Sequence, residues 1–274
     1  MAVTLPADVR AALAGPMVPK FLATVGPEGD PNVVPVISIQ PWDGETLVFG
    51  EYLMHKSRRN LRGNPHVGVL VITETLEAWA LRGTFLGFQQ SGEWFDRVSR
   101  HELLRYNAYT GIRAAGAIRV EACAAKITFS KAAVLAGFAH ASVAGQWLRR
   151  SAPERGVMPR PVEEKFGRLQ AVRAGAFVGA DGFPRVWPML GCLAAGPSRL
   201  VVGDLGFPGV ADGLQPGARV AVAILTFDPI AYQVKGTYAG TRAGVGVIDL
   251  TECYNASPPR VGDRLDHPDS KPAP

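Results

Sequence analysis

Apolar and polar residues alternate along this chain in short runs rich in β-branched side chains, a period that predicts strands rather than helices over most of its length. The first runs are Lys20 to Val25, Asn32 to Gln40, Thr46 to Gly50, Val67 to Thr73 and Ala78 to Phe88. Gly26-Pro27-Glu28-Gly29-Asp30 has the glycine and aspartate of a tight hairpin turn. Pro35 interrupts the second run. It has no N–H to give a ladder, so that strand is expected at a sheet edge or a bulge. A helix is expected from Ser91 to Tyr106 with Ser91 as its N-cap, followed by a last strand from Ile118 to Phe129. Ala132 to Arg150 reads as an amphipathic helix with Val134, Leu135, Phe138 and Leu148 on one side. A Pro- and Arg-rich loop, Ser151 to Pro161, comes next.

The pattern then starts again. Gly29-Asp30-Pro31-Asn32-Val33-Val34-Pro35-Val36 is matched by Gly182-Phe183-Pro184-Arg185-Val186-Trp187-Pro188-Met189, an offset of 153 positions (29 to 182). At the same offset Leu47-Val48-Phe49-Gly50-Glu51 pairs with Leu200-Val201-Val202-Gly203-Asp204. Ala78-Trp79-Ala80-Leu81-Arg82-Gly83-Thr84-Phe85 pairs with Ala231-Tyr232-Gln233-Val234-Lys235-Gly236-Thr237-Tyr238. Reuse of glycine and proline at turns does not predict a constant offset, whereas duplication of a domain does. The second copy's strands are expected at Ala174 to Gly179, Arg185 to Leu193 and, with no intervening helix, Val245 to Tyr254.

The expected fold is therefore mainly β with minor α: two tandem six-stranded antiparallel barrels. Residues 1–130 form the first, 131–165 a helix and linker, 166–257 the second, and 258–274 a proline-rich, charged, disordered tail. Composition narrows the class. With 47% hydrophobic and 19% charged residues among 274, the chain suits a soluble globular protein. No stretch suits a membrane span, and no secretory signal is visible. Three cysteines with no CxxC pair argue for a reducing, cytoplasmic setting. The net charge of +5 fits an anionic small molecule. The five histidines show no metal-ligand spacing, and the basic cluster lacks the interleaved aromatics of a single-strand nucleic-acid binder.

The copies diverge most after the strand that ends at Gly50. The first copy continues Glu51-Tyr52-Leu53-Met54-His55-Lys56-Ser57-Arg58-Arg59-Asn60-Leu61, a basic turn entering a short helix. Lys56, Arg58 and Arg59 offer cations, Ser57 a hydroxyl and the helix start free N–H groups, a set that suits a phosphate. The second copy has Gly209 and Val210 at the places of Lys56 and Ser57, and no cation nearby. On the residues alone, the segment is either an anion site or a solvated basic turn.

A glycine-rich turn before Val33-Val34-Pro35-Val36, a strand ending Gly50-Glu51, and Lys56-Ser57-Arg58-Arg59-Asn60-Leu61-Arg62-Gly63-Asn64-Pro65-His66-Val67 together resemble the pyridoxamine 5'-phosphate oxidase-like FMN-binding split barrels. The resemblance covers most of 17 to 130 and, more weakly, 166 to 255. In that family two barrels form a dimer with flavin in the groove between subunits, so it implies here an intrachain pseudo-dimer of split β-barrels. It implies an FMN-dependent oxidoreductase acting on a small-molecule substrate, or else a deazaflavin-dependent reductase or a non-catalytic flavin-binding protein. Lys56 and Ser57 would hold the phosphate, assisted by Arg58 or Arg59. Val34, Pro35 and Val36 would line the ring, with Glu51 and Tyr52 close by. Trp187 is either the wall on the ring's far side or plain core. The loss at Gly209 and Val210 implies one flavin per chain. The resemblance assigns no catalytic acid or base and leaves open further homo-oligomerisation.

Overall fold

The computed structural model describes residues 3–100, 111–153, 155–203, 211–228, 230–258 and 260–266. Two antiparallel sheets carry the same strand order. In the first half β1 (Lys20–Val25), β2 (Pro31–Pro35), β3 (Gln40–Pro41), β4 (Thr46–Glu51), β5 (His66–Ile72), β6 (Glu77–Gln89) and β7 (Ala114–Cys123) run β2-β1-β5-β6-β7-β4-β3 across the sheet, with the two-residue β8 (Ile127–Thr128) beside β6. In the second half β9 (Val172–Val178), β10 (Pro184–Pro188), β11 (Cys192–Ala194), β12 (Arg199–Val202), β13 (Arg219–Leu225), β14 (Ala231–Arg242) and β15 (Val245–Asn255) run β10-β9-β13-β14-β15-β12-β11. The sheets hold eight and seven strands rather than six: the chain breaks after Pro35 and Pro188, so the expected long second strand becomes two short ones in each half, and in the first half the expected last strand also divides into β7 and β8.

The repeat is one of backbone detail as well as order. The bulges in the β6–β7 pair fall at Arg82/Gly83 and Phe85/Gly87, and those in β14–β15 at Lys235/Gly236 and Tyr238/Gly240, again 153 positions on. A side chain at Gly83 or Gly236 would strike the facing strand's carbonyl, of Arg119 or Asp249 respectively. Gly29 and Gly182 both take positive φ, 75° and 78°, as their hairpin turns require. The prolines do end edge strands.

Helices are where the sequence pattern fell short. Helix α1 (Ala7–Ala14) had no strong signal, and residues 160–166, expected in the linker, form another helix 153 positions later. Each follows a proline, Pro6 or Pro159, instead of a Ser, Thr, Asp or Asn cap. Each ends against a fully buried cation at an equivalent position. Lys20 Nζ donates to the carbonyls of Gly15 (2.7 Å) and Ile37 (3.1 Å), and Arg173 donates to those of Phe166 and Ala171 (both 2.9 Å). Burial lowers the Lys20 pKa to about 8.

Three further helices complete the described elements: α2 (His55–Gly63), α3 (Glu93–Ser99) and α4 (Lys131–Leu148), with the 160–166 helix as α5. Helix α3 begins after Gly92 rather than at a Ser91 cap, and the expected continuation to Tyr106 lies outside the described residues beyond Arg100. In α4, capped by Ser130, the buried face is Gly137, Ala141, Ala144, Gly145 and Leu148, while Leu135 is exposed. Small residues let the helix axis approach β12 and β15 closely, and Gly137 backs directly onto Gly203. The start of the expected disordered tail is ordered. Leu265 N–H donates to the Cys253 carbonyl (2.8 Å), and Arg264 bridges to Tyr254.

An apolar cluster lies at the join between the halves. Phe21, Val33 and Leu70 from the first half pack on Ala174, Ala176, Ala221 and Ala223 from the second, large side chains against small. Gly68 lies so close to β10 that a Cβ there would come within 2.6 Å of the Pro184 carbonyl oxygen. This pairing brings the end of each half's second strand against the long strands of the other, and clefts open there. Among the described residues no helix is long and apolar enough to cross a membrane.

Candidate functional site

Strand β4 delivers the chain to Glu51, and Tyr52-Leu53-Met54 turn it into α2. Leu53 takes φ 48°, a left-handed conformation uncommon for leucine, which persists only where its surroundings hold it. No side chain caps α2, so its first-turn N–H groups have no side-chain acceptor from the N-cap residue Met54. A buried polar network fixes the helix. Asn32 Nδ2 donates to Ser57 Oγ (3.1 Å) and Thr24 Oγ1 (3.3 Å), and Asn60 Nδ2 donates to the same Thr24 oxygen (3.0 Å). From the second half, Gln233 Nε2 donates to Asn32 Oδ1 (3.2 Å) and to the Val33 carbonyl (2.5 Å). Each donor and acceptor supports the next in a low dielectric, so both halves set the position of Ser57. Ser57 Oγ accepts here and keeps its own proton to give to a ligand.

Beside the network lies a cleft of about 250 Å³ between the halves, just below the usual range of small-molecule sites, about 300–1,000 Å³. Val34, Leu53 and Met54 form an apolar wall, and Lys56, Ser57 and Arg59 a polar one. The second half contributes Gln233, Tyr254 and the segment from Val261 to Arg264. Lys56 Nζ sits 3.7 Å from the centre of the Tyr254 ring, a cation–π contact. Among the described residues Lys56 makes no ion pair. Burial, and then the neighbouring Lys235 ammonium, push its pKa down to about 7. Lys235 is itself buried and ion-paired with Asp30. Burial opposes ionisation of Asp30, but the Lys235 hydrogen bond and charge outweigh it and hold its carboxyl below the ordinary value. The Tyr254 hydroxyl donates to Glu252 Oε2 (2.6 Å); burial, then that carboxylate, push the phenol well above its usual pKa. The Glu252 and Asp30 carboxylates favour the charged form of Lys56 but are outweighed by burial and Lys235, which leaves the ammonium partly desolvated.

Of the residues expected from the sequence, the cleft brings together Val34, Lys56, Ser57 and Arg59. Val36 lies in the core of the first barrel, and neither Pro35 nor Tyr52 lines the cleft. Arg58 is turned away: its Nη1 grips both oxygens of Glu51 (2.6 and 2.8 Å), a carboxylate only 2% exposed. The pair pins α2 to the end of β4, and the Arg58 guanidinium lies over the Phe88 ring rather than in the cleft. Trp187 is buried against Phe177, 5.6 Å between ring centres, beside a different cleft. The far wall is Tyr254 with Gln233. Sequence reasoning missed these two, Lys235 and Arg264, because each is a single residue in a strand or tail without a motif. Gly209 and Val210 lie outside the described residues. Among the described residues no group of three or more His, Cys, Asp or Glu is placed to hold a metal.

Comparison with known proteins gives one family: residues 8–135 match the family model described as pyridoxamine 5'-phosphate oxidase. No curated protein matches the chain. Among solved structures, an FMN-binding protein from Syntrophomonas wolfei is similar at 12% identity over 44% of this chain and 85% of its own, with a TM-score of 0.39. An F420 reductase is similar at 24% identity over 44% of this chain and 98% of its own, TM-score 0.36. HutZ, a heme storage protein from Vibrio cholerae, is similar at 13% identity over 46% and 95%, TM-score 0.35.

Proposed function

From a first half that matches the pyridoxamine 5'-phosphate oxidase family model, we infer that the protein binds one FMN per chain in the cleft between its halves and serves as a flavin-dependent oxidoreductase on a small-molecule substrate. The observation that carries this reading is Lys56: an ammonium partly withdrawn from water, without an ion pair among the described residues, beside Lys235 and next to the buried Ser57 hydroxyl. Such a site is short of an anion, and a phosphate monoester supplies one with several acceptor oxygens.

The donor set fits the rest of the cofactor. Lys56, Ser57 and the uncapped start of α2 would take the phosphate, with the exposed Arg59 at the rim. Val34, Leu53 and Met54 would carry the apolar face of the ring system, and Tyr254 and Gln233 would close it from the second half. When bound, the flavin supplies the redox chemistry; the chain binds it, orients it and tunes it by hydrogen bonds. Burial and Lys235 bring the Lys56 pKa down to about 7, and a bound phosphate would hold it charged. The three cysteines form no disulfide, which suits a reducing cytoplasmic setting.

Titration of the ligand-free chain with FMN tests the reading. Saturable quenching of flavin fluorescence and a yellow protein after gel filtration are expected. No saturable FMN binding would overturn it. Tight binding of a deazaflavin in the same titration, with FMN ignored, would move the assignment to that cofactor.

A further inference from the structure

The repeat generates a second cleft equivalent to the first, of about 440 Å³, at the opposite end of the join between halves. Its walls have been rebuilt. At the offset of 153, Arg185 replaces Asn32, Trp187 replaces Val34, Ala80 stands for Gln233 and Arg82 for Lys235. Strand pairing aligns Leu81 with Cys123 as it aligns Val234 with Cys253, which puts Ala124 in the place of Tyr254. The polar network and the tyrosine wall are gone, and space and two guanidinium groups stand in their place.

Those guanidiniums converge. Arg82 Nη1 and Arg185 Nη2 both donate to Asp181 Oδ2, at 2.5 and 2.8 Å, so one carboxylate oxygen is shared by two cations, with Asp212 elsewhere in the lining. The Arg82 guanidinium stands 5.4 Å over the Phe183 ring, which stacks on His66 at 3.9 Å and orients the group. Trp187 is 2% exposed, and its indole Nε1 is buried with no acceptor among the described residues; Arg82 Nε is likewise without one. Buried donors without acceptors are rare in native proteins and point to an absent partner. Beside them Phe177 and Val186 give the cleft apolar lining.

We propose that this second cleft binds a small organic carboxylate with an apolar body, the carboxylate held by Arg82 and Arg185 and the apolar part packed against Trp187 and Phe177. Planar guanidiniums recognise a carboxylate through two parallel hydrogen bonds, which a lysine cannot do, and the Lys-to-Arg exchange between the copies follows that difference. The two clefts would thus have diverged from one site to two ligand classes.

Benzoate serves as the probe, titrated into the full chain and followed by calorimetry, with benzamide as the uncharged control of the same shape. Benzoate is expected to bind saturably and benzamide at least about tenfold more weakly. Arg185→Ala and Trp187→Phe are each expected to weaken benzoate at least about fivefold. Lys56→Ala, which removes a cation from the other cleft, should leave benzoate unchanged. The proposal is overturned if benzoate does not saturate, if benzamide binds equally, if Arg185→Ala binds as the parent does, or if Lys56→Ala is the variant that loses binding. Complete displacement of benzoate by equimolar inorganic phosphate would overturn the organic-carboxylate assignment. Arg185 is partly exposed, so its variant is expected to fold, and a thermal melt matching the parent checks this.

Discussion

Around the first cleft the chain keeps a lysine pair beside a tyrosine, and a buried serine and a glutamine tied into one polar network across the halves. Around the second it keeps two arginines, a buried tryptophan and a set of alanines. The backbone beneath them is the same in strand order, in hairpin glycines and in the positions of both bulges. Fusion into one chain explains how this could arise. In a symmetric dimer every substitution falls on both sites, whereas here each site can change alone. The barrel is thus a scaffold, and what each cleft binds is decided by a few side chains at strand ends.

The largest expected effect is on the pin that only the first half has. Ala211 stands where Arg58 does, and Arg58→Ala would give the first half the same residue. It would leave Glu51 buried without its partner, and a loss of about 3 kcal/mol in equilibrium denaturation is expected. A loss well under about 1 kcal/mol would mean that water reaches Glu51 and that the pin does not hold α2.

Lys56→Ala comes next. Removing one charge-assisted contact of about 1.5–3 kcal/mol should weaken FMN roughly tenfold to a hundredfold, read by fluorescence titration. Unchanged affinity would mean that the phosphate lies elsewhere.

The pH dependence is smaller and has a definite sign. Lys56 in the free protein titrates near 7, below its ordinary value, because burial and Lys235 disfavour the charged form. A bound phosphate favours that form, so binding raises the pKa. Below about pH 7 the lysine is charged in both states and contributes no slope. Above it, binding must take up a proton, and FMN affinity should fall by up to about tenfold per pH unit between about pH 7 and 9. Riboflavin, which has no phosphate, should show no such slope. Equal slopes for the two ligands would remove Lys56 from the phosphate site.

The smallest effect separates the clefts directly. Trp187→Phe lies beside the second, so FMN affinity should stay within about twofold of the parent. A tenfold loss would return Trp187 to the flavin's wall.

The sequence made the barrel strands and the duplication legible because period-two alternation and turn glycines are local signals. Lys20 to Val25 has its expected bounds, and of the two places open to Pro35, an edge or a bulge, the strand takes the edge. The helices before each barrel were not legible. They are seven or eight residues long and follow prolines instead of polar caps, and the signal that could have found them was the repeat itself: Pro6, Val9 and Leu13 recur as Pro159, Val162 and Phe166. On α4 Leu148 is buried and Val134 and Phe138 pack against the core as expected, but Leu135 is exposed and glycine and alanine fill the rest of the face, since close packing on a sheet favours small residues. At the site, Lys56 and Ser57 were legible because they share one contiguous segment. Gln233, Lys235 and Tyr254 were not, because only the pairing of the halves brings the ends of β14 and β15 to that cleft. The same pairing carries Trp187 to the other one.

The central claim is the asymmetry of the two clefts toward flavin, and the stoichiometry of FMN on the full chain tests it most directly. Native mass spectrometry at the lowest FMN concentration that saturates the parent chain should show one flavin per polypeptide, strongly depleted in Lys56→Ala and retained in Arg185→Ala. Two flavins per polypeptide, or a single flavin lost in Arg185→Ala, would contradict it.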